Sequence, residues 1–195
     1  MPLLNLPKFL FINGPAGSGK STLQKLLLSH GNCFAESFAE PIRQTIYSVF
    51  FPEEGPIYYN FNLKHQEVKK KEFPFTTGLK AKTFRDVMIS FSEDWMKPTF
   101  GEDIFGRLAF QRCVENDLFY DHFIFDDSGF AAEAMHIIKM ASPENCALIR
   151  LYRDGHNFSN DSRSYIKLPC RSLDLYNNGT EADMLDSLAA AWGNL

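Results

Sequence analysis

Gly14-Pro15-Ala16-Gly17-Ser18-Gly19-Lys20-Ser21 fits the spacing G-x-x-x-x-G-K-[ST], with Thr22 next in the chain. Each residue type has a task in holding a polyphosphate. Gly17 and Gly19 let the backbone turn its N–H groups toward phosphate oxygens, and a helix beginning at the loop's end adds positive potential. Lys20 reaches the β and γ phosphates, and the Ser21 hydroxyl serves a magnesium ion. The donor-binding set is therefore Gly14, Ala16, Gly17, Ser18, Gly19, Lys20, Ser21 and Thr22.

A second feature that could do chemistry is Phe123-Ile124-Phe125-Asp126-Asp127, a hydrophobic strand ending in two acids. An acid at such a strand end can hold magnesium or its water shell. Asp126 and Asp127 are equal candidates at this point. Moving a phosphoryl group is mostly positioning and charge neutralisation, so cations beyond Lys20 are required. The candidates are Arg43, Arg85, Arg107, Arg150, Arg153 and Arg163. Arg153 and Arg163 stand out because they share the polar stretch 153–164, which has too little apolar content for a core and suits a closing lid. None of the five histidines has an acid partner or serine arrangement in the sequence that would assign it catalysis.

These residues need a scaffold. Lys8 to Asn13 is apolar on both alternating faces, which predicts a central parallel strand, and Leu23, Leu26 and Leu27 mark a helix directly after the glycine loop. Further strands are expected over Cys33 to Phe38, His122 to Asp126 and Cys146 to Tyr152. Helices are expected over Glu40 to Phe50, Lys82 to Lys97 with Pro98 as its stop, Glu102 to Asp117 and Ala131 to Met140. The stripe Phe84, Val87, Met88, Phe91 and Trp95 reads as core packing, with base stacking by Trp95 as the alternative. Thr180-Glu181-Ala182-Asp183 resembles a capping box before a last helix, with Met184, Leu185, Leu188, Ala189 and Trp192 inward. Residues 51–75 carry Pro and Gly punctuation and the run Lys69-Lys70-Lys71, and read as an excursion with a solvated lysine face. Strands alternating with helices imply a parallel sheet whose strand ends gather at one edge.

Composition bounds the function. A chain of 195 residues has room for one sizeable core, and 20 basic against 24 acidic side chains give a net charge of −4 and no general attraction to nucleic acid or anionic membrane. Four widely spaced cysteines suggest neither a disulfide framework nor a zinc site, and fit a reducing cytoplasm. No stretch approaches the roughly 20 apolar residues of a membrane span. The apolar N-terminus runs straight into the glycine loop and reads as a strand, since its removal as a signal peptide would destroy that motif.

With these segments in order, the sequence resembles the nucleoside monophosphate kinases, most of all the deoxynucleoside monophosphate kinases of bacteriophages. The resemblance runs through Gly14 to Ser21, Ser37 to Arg43, Arg85 to Met88, Ser92 to Trp95, Phe100 to Phe105, Asp127 to Phe130 with Glu133, Ile149 to Arg153, Asp161 to Ser164 and Asn177 to Thr180. It implies an α/β P-loop kinase fold: a parallel sheet of about five strands flanked by helices, in a single domain 1–195. A helical acceptor-binding insertion at about 38–118 and a lid at about 153–165 complete it. It further implies transfer of the ATP γ-phosphoryl group, with Mg²⁺, to a (deoxy)nucleoside monophosphate. By position, Lys20, Arg153 and Arg163 are catalytic, Arg43, Arg85, Trp95 and Asp127 bind the acceptor, and Ser21 with Asp126 or Asp127 serves the metal. A cytoplasmic site in a phage-infected or prophage-carrying host is implied, without stable nucleic-acid or membrane binding, and a homodimer stays open. One departure is Asp127-Ser128-Gly129-Phe130, where such kinases often carry Asp-x-Arg-Phe. The alternatives are a kinase for another small acceptor, such as a dephospho-coenzyme A-like alcohol, and a non-catalytic nucleotide-binding module.

Overall fold

Phe9 to Asn13 is buried at every position, and the computed structural model shows why: this strand, β1 (Phe9–Asn13), is the middle strand of a five-stranded parallel sheet. The structure describes residues 6–29, 31–50, 83–159, 161 and 163–193. The excursion read over 51–75, with its lysine run, lies outside them. The chain continues from β1 through α1 (Lys20–Leu28), β2 (Cys33–Glu36), α2 (Glu40–Phe50) and α3 (Phe84–Ser90). A π-helical turn (Phe91–Met96) leads into α4 (Lys97–Phe100), then α5 (Ile104–Asn116), β3 (His122–Phe125) and α6 (Ala131–Ala141). A 3₁₀ turn (Pro143–Asn145), β4 (Cys146–Tyr152), β5 (Arg171–Tyr176) and α7 (Glu181–Gly193) complete it.

The strand order is β2-β3-β1-β4-β5, with Phe9 of β1 in register with Phe123 of β3 on one side and Cys146 of β4 on the other. After β1 the chain moves toward β2, and after β3 it crosses β1 toward β4. Connections that leave adjacent strands in opposite directions open a crevice at the strands' carboxyl ends. That crevice lies where β1 gives way to the glycine loop and β3 to the acid pair.

Each face of the sheet is sealed differently. On one, Leu23 and Leu27 of α1 and Met184 and Leu188 of α7 pack with Leu10, Ile12 and Ile149 in one apolar cluster. On the other, phenylalanines dominate: Phe9 stacks on Phe123 at 5.6 Å, Phe38 on Phe125 at 4.6 Å, and Phe110 of α5 lies 6.1 Å from Phe9. The expected capping box before α7 forms, with Thr180 Oγ1 accepting from Asp183 N at 3.2 Å and the Asp183 carboxylate accepting from Thr180 N at 2.7 Å. Met184 and Leu188 are buried and Leu185 and Ala189 half-buried; the Trp192 side chain falls outside the described set. No helix among the described residues is long and apolar enough to cross a membrane.

The chain divides into two compact units, one of residues 1–38 and 105–195, the other Ala39–Ile104. Residues 105–118, expected with the acceptor-binding insertion, therefore belong with the sheet. Within the second unit the long helix departs from expectation. Pro98 does not end it: the backbone stays helical from the π turn through Phe100, with the proline at the junction of the two, and the stop is Gly101 at φ 102°. The π turn also rotates the apolar stripe, so Phe84 and Met88 are buried while Trp95 is 50% exposed, against Phe91 and Phe100. The expectation that the whole stripe is core thus fails at Trp95.

One polar device stiffens the carboxyl end of β2. Glu36 is buried, and Arg112 of α5 binds its carboxylate through Nε at 3.2 Å and Nη2 at 2.8 Å while Nη2 also donates to Ser37 O at 2.9 Å. Burial pushes the Glu36 carboxyl up, and the Arg112 hydrogen bonds and charge pull it back. Removing one partner strands a buried charge, so Arg112→Ala is expected to destabilise the fold by about 3 kcal/mol in chemical denaturation. Adding Glu36→Gln should recover part of that loss.

Candidate functional site

The glycine loop between β1 and α1 takes the shape its sequence demands. Gly17 (φ 79°) and Gly19 (φ 101°) occupy the left-handed region, and a Cβ on Gly19 would stand 2.3 Å from Asn177 Nδ2. Three donors hold the loop's carbonyls from outside: Arg153 Nη1 to Gly17 O at 3.1 Å, His156 Nδ1 to Ala16 O at 2.9 Å and Asn177 Nδ2 to Ser18 O at 2.8 Å. The first-turn N–H groups of α1 have no intrahelical acceptor, and Gly19 offers no side-chain cap. A loop that turns through two left-handed glycines into the open first turn of α1 fits a polyphosphate. Lys20 Nζ lies across this cradle and donates to Gly14 O and Pro15 O, both at 2.7 Å.

The two acids after β3 have different partners. Asp126 Oδ2 accepts from Ser21 Oγ at 2.6 Å, whereas Asp127 accepts from the Ser37 hydroxyl and, at 3.0 Å, from Phe38 N. Ser37 is the residue whose carbonyl Arg112 fixes, so the Glu36–Arg112 pair helps keep Asp127 turned away from Ser21. Ser21 and Asp126 are the oxygen pair suited to magnesium; Asp127, an equal candidate by sequence, instead binds the segment after β2. Among the described residues no group of three or more His, Cys, Asp or Glu forms a metal cage. A magnesium ion takes one or two protein oxygens and fills its shell with water and phosphate, so the Ser21–Asp126 pair suffices.

Arg163 is one of the two arginine candidates that bear on the cradle. Its Nε donates to Asp161 Oδ1 at 2.8 Å, its Nη2 also binds Asp161, and its charge is felt at Lys20. Burial, followed by the Arg163 charge, pulls Lys20 down to about 8. Arg153 touches the loop through Gly17 O, as given above. Arg150 is taken by Asp174 at 2.5 Å, and Arg107 is exposed. Arg43, Arg85 and Trp95 all lie in the second unit, where Arg43 pairs with Glu40 at 3.1 Å and Arg85 is exposed.

Four contributors have no role assigned from the sequence: Asn177 and His156, which bond the loop's carbonyls, and Glu36 with Arg112, which hold Ser37. Asn177 carried a signal as the first residue of Asn177-Asn178-Gly179-Thr180, directly after a strand. The Glu36–Arg112 pair is 76 residues apart and carried none.

An anion placed on Lys20 raises its pKa, so binding at pH 8 must draw in protons. Calorimetric titration with ATP at pH 8, in two buffers of different ionisation enthalpy, should show uptake of up to about half a proton and weakening affinity at higher pH. Lys20→Met should remove both effects. No protein-family model and no curated protein matches the chain, so its function is read from the residues above.

Proposed function

We propose that this chain is an ATP- and Mg²⁺-dependent phosphotransferase that moves the γ-phosphoryl group onto a (deoxy)nucleoside monophosphate. The observation that carries the reading is the partly buried cation pair of Lys20 and Arg163 beside a glycine cradle and the Ser21–Asp126 pair. Burial depresses the Lys20 pKa to about 8 although the Asp126, Asp161 and Asp127 charges raise it, and such perturbed groups gather at functional sites.

Phosphoryl transfer asks little covalent chemistry of a protein and much positioning. In this reading Lys20 leaves the Gly14 and Pro15 carbonyls for the β and γ phosphates, and the loop amides hold their oxygens. Magnesium, when bound, neutralises phosphate charge, and Ser21 and Asp126 are the residues that hold it. Arg163 stabilises charge on the moving group, and Arg153 braces the loop from behind. The kinase resemblance assigns the acceptor phosphate to Arg43 and Arg85. The exposed indole of Trp95 is available for a base, as a buried core residue would not be.

Purified protein with ATP, Mg²⁺ and a panel of ribo- and deoxynucleoside monophosphates should release ADP in an acceptor-dependent way with at least one of them. Lys20→Ala should lower that turnover by about a hundredfold or more, and Asp126→Asn should raise the magnesium concentration needed. ATP binding without turnover for any nucleotide acceptor would contradict the acceptor class. Turnover restored by a non-nucleotide alcohol would then identify another small-molecule kinase, and none at all a nucleotide-binding module.

A further inference from the structure

Arg163 lies in a polar loop of the kind that closes over a substrate, yet its surroundings are those of a fixed part. Asn13, the last residue of β1 before the glycine loop, is 1% exposed. Its Nδ2 donates to Ser128 O at 2.8 Å and to Ser164 O at 3.1 Å, and its Oδ1 accepts from Ile166 N at 3.2 Å. Both amide donors and one lone pair are thus spent on backbone, the complete use of a buried carboxamide's hydrogens. Two of these partners flank Tyr165, whose ring stacks on Tyr152 at 4.3 Å and whose hydroxyl donates to Leu151 O at 3.3 Å. Ile166 and Leu168 are buried. The stretch after Arg163 is therefore anchored to the core at Ile166 and Leu168, while Ser164, Lys167 and Pro169 are exposed.

The side chain of Arg163 has its own seat. A Cβ on Gly129 would stand 2.3 Å from Arg163 Cδ and 2.9 Å from Cγ. Gly129 is not among the residues with positive φ, so its backbone would accept alanine. The glycine is needed for space. Asn13 holds Ser128, next to that seat, and Ser164, next to the arginine, with one amide group. Asp161 then fixes the direction of the guanidinium.

We infer that Asn13 and Gly129 are positioning residues that dock Arg163 permanently beside the phosphate loop, so that this cation is in place before any nucleotide binds. The missing side chain at 129 is the opening through which a cation from elsewhere in the chain reaches the site. A cation fixed in advance needs no reorganisation when charge develops, which is where preorganised electrostatics gain their effect. The functional part of this inference rests on the proposed phosphate site; the docking itself does not.

Amide hydrogen exchange on the nucleotide-free protein tests the docking. The Ile166 amide should exchange slowly without ATP and quickly in Asn13→Ala. Fast exchange in the free wild type, slowed only by ATP, would make the segment a closing lid and overturn the inference. ATP affinity tests the purpose of Gly129 through a double-mutant cycle, with melting temperature checked for each variant. Arg163→Ala should weaken binding about ten- to a hundredfold, as loss of hydrogen bonds from a charged group does. Gly129→Ala should weaken it comparably, and the double variant should bind no worse than Arg163→Ala alone. Losses that multiply would show that Gly129 acts independently of Arg163 and overturn its assignment. Wild-type protein that does not bind ATP would refute the phosphate site and the purpose given to Gly129, while the exchange result would still decide the docking.

Discussion

A parallel strand buried on both faces and hydrogen-bonded on both sides ends with polar backbone that no neighbouring strand can satisfy. β1 is such a strand, and nearly everything that follows depends on how the chain resolves its carboxyl end. The glycines turn the backbone into a cradle, helix α1 points its open N–H groups at the same place, and Asn13 collects the segments after β3 and before β5. Because β3 and β4 flank β1, their ends are delivered to the same edge.

Charge arrangement at this edge is deliberate in a physical sense. Lys20 rests on two carbonyls, Arg163 on a carboxylate, and Asp126 on a serine hydroxyl. Each charged group has a partner in the absence of ligand. Burial and the neighbouring Arg163 depress the Lys20 pKa, and an anion placed on it would raise that pKa. The Glu36–Arg112 pair contributes by holding Ser37, and through it Asp127, so that one acid of the two is left for Ser21.

Much of this was legible in the sequence because it is local. Strand, glycine loop and helix announce themselves through apolar alternation, glycine spacing and a leucine face within 20 residues of one another. What escaped was set by geometry across the chain. Two adjacent acids look alike until a strand end fixes which one points at Ser21. β5, Arg171-Ser172-Leu173-Asp174-Leu175-Tyr176, was not located because an edge strand keeps a polar, solvated face and lacks the apolar run of its neighbours. The π turn at Phe91–Met96 has no composition of its own, so the stripe ending in Trp95 read as continuous core. Gly129 read as a missing cation because sequence shows what a position lacks, while the structure shows Arg163 lying in the space left there.

The central claim is that Lys20, Arg163 and the Ser21–Asp126 pair surround one polyphosphate. A crystal structure with a dinucleoside pentaphosphate and Mg²⁺, a single molecule spanning donor and acceptor, tests it most directly. The phosphate chain should lie inside the Gly14–Ser21 loop with Lys20 moved onto it, the metal beside Ser21 and Asp126, and the backbone of residues 163–166 unchanged. Phosphates bound away from the loop, or a loop that keeps Lys20 on the Gly14 and Pro15 carbonyls with the ligand present, would contradict it.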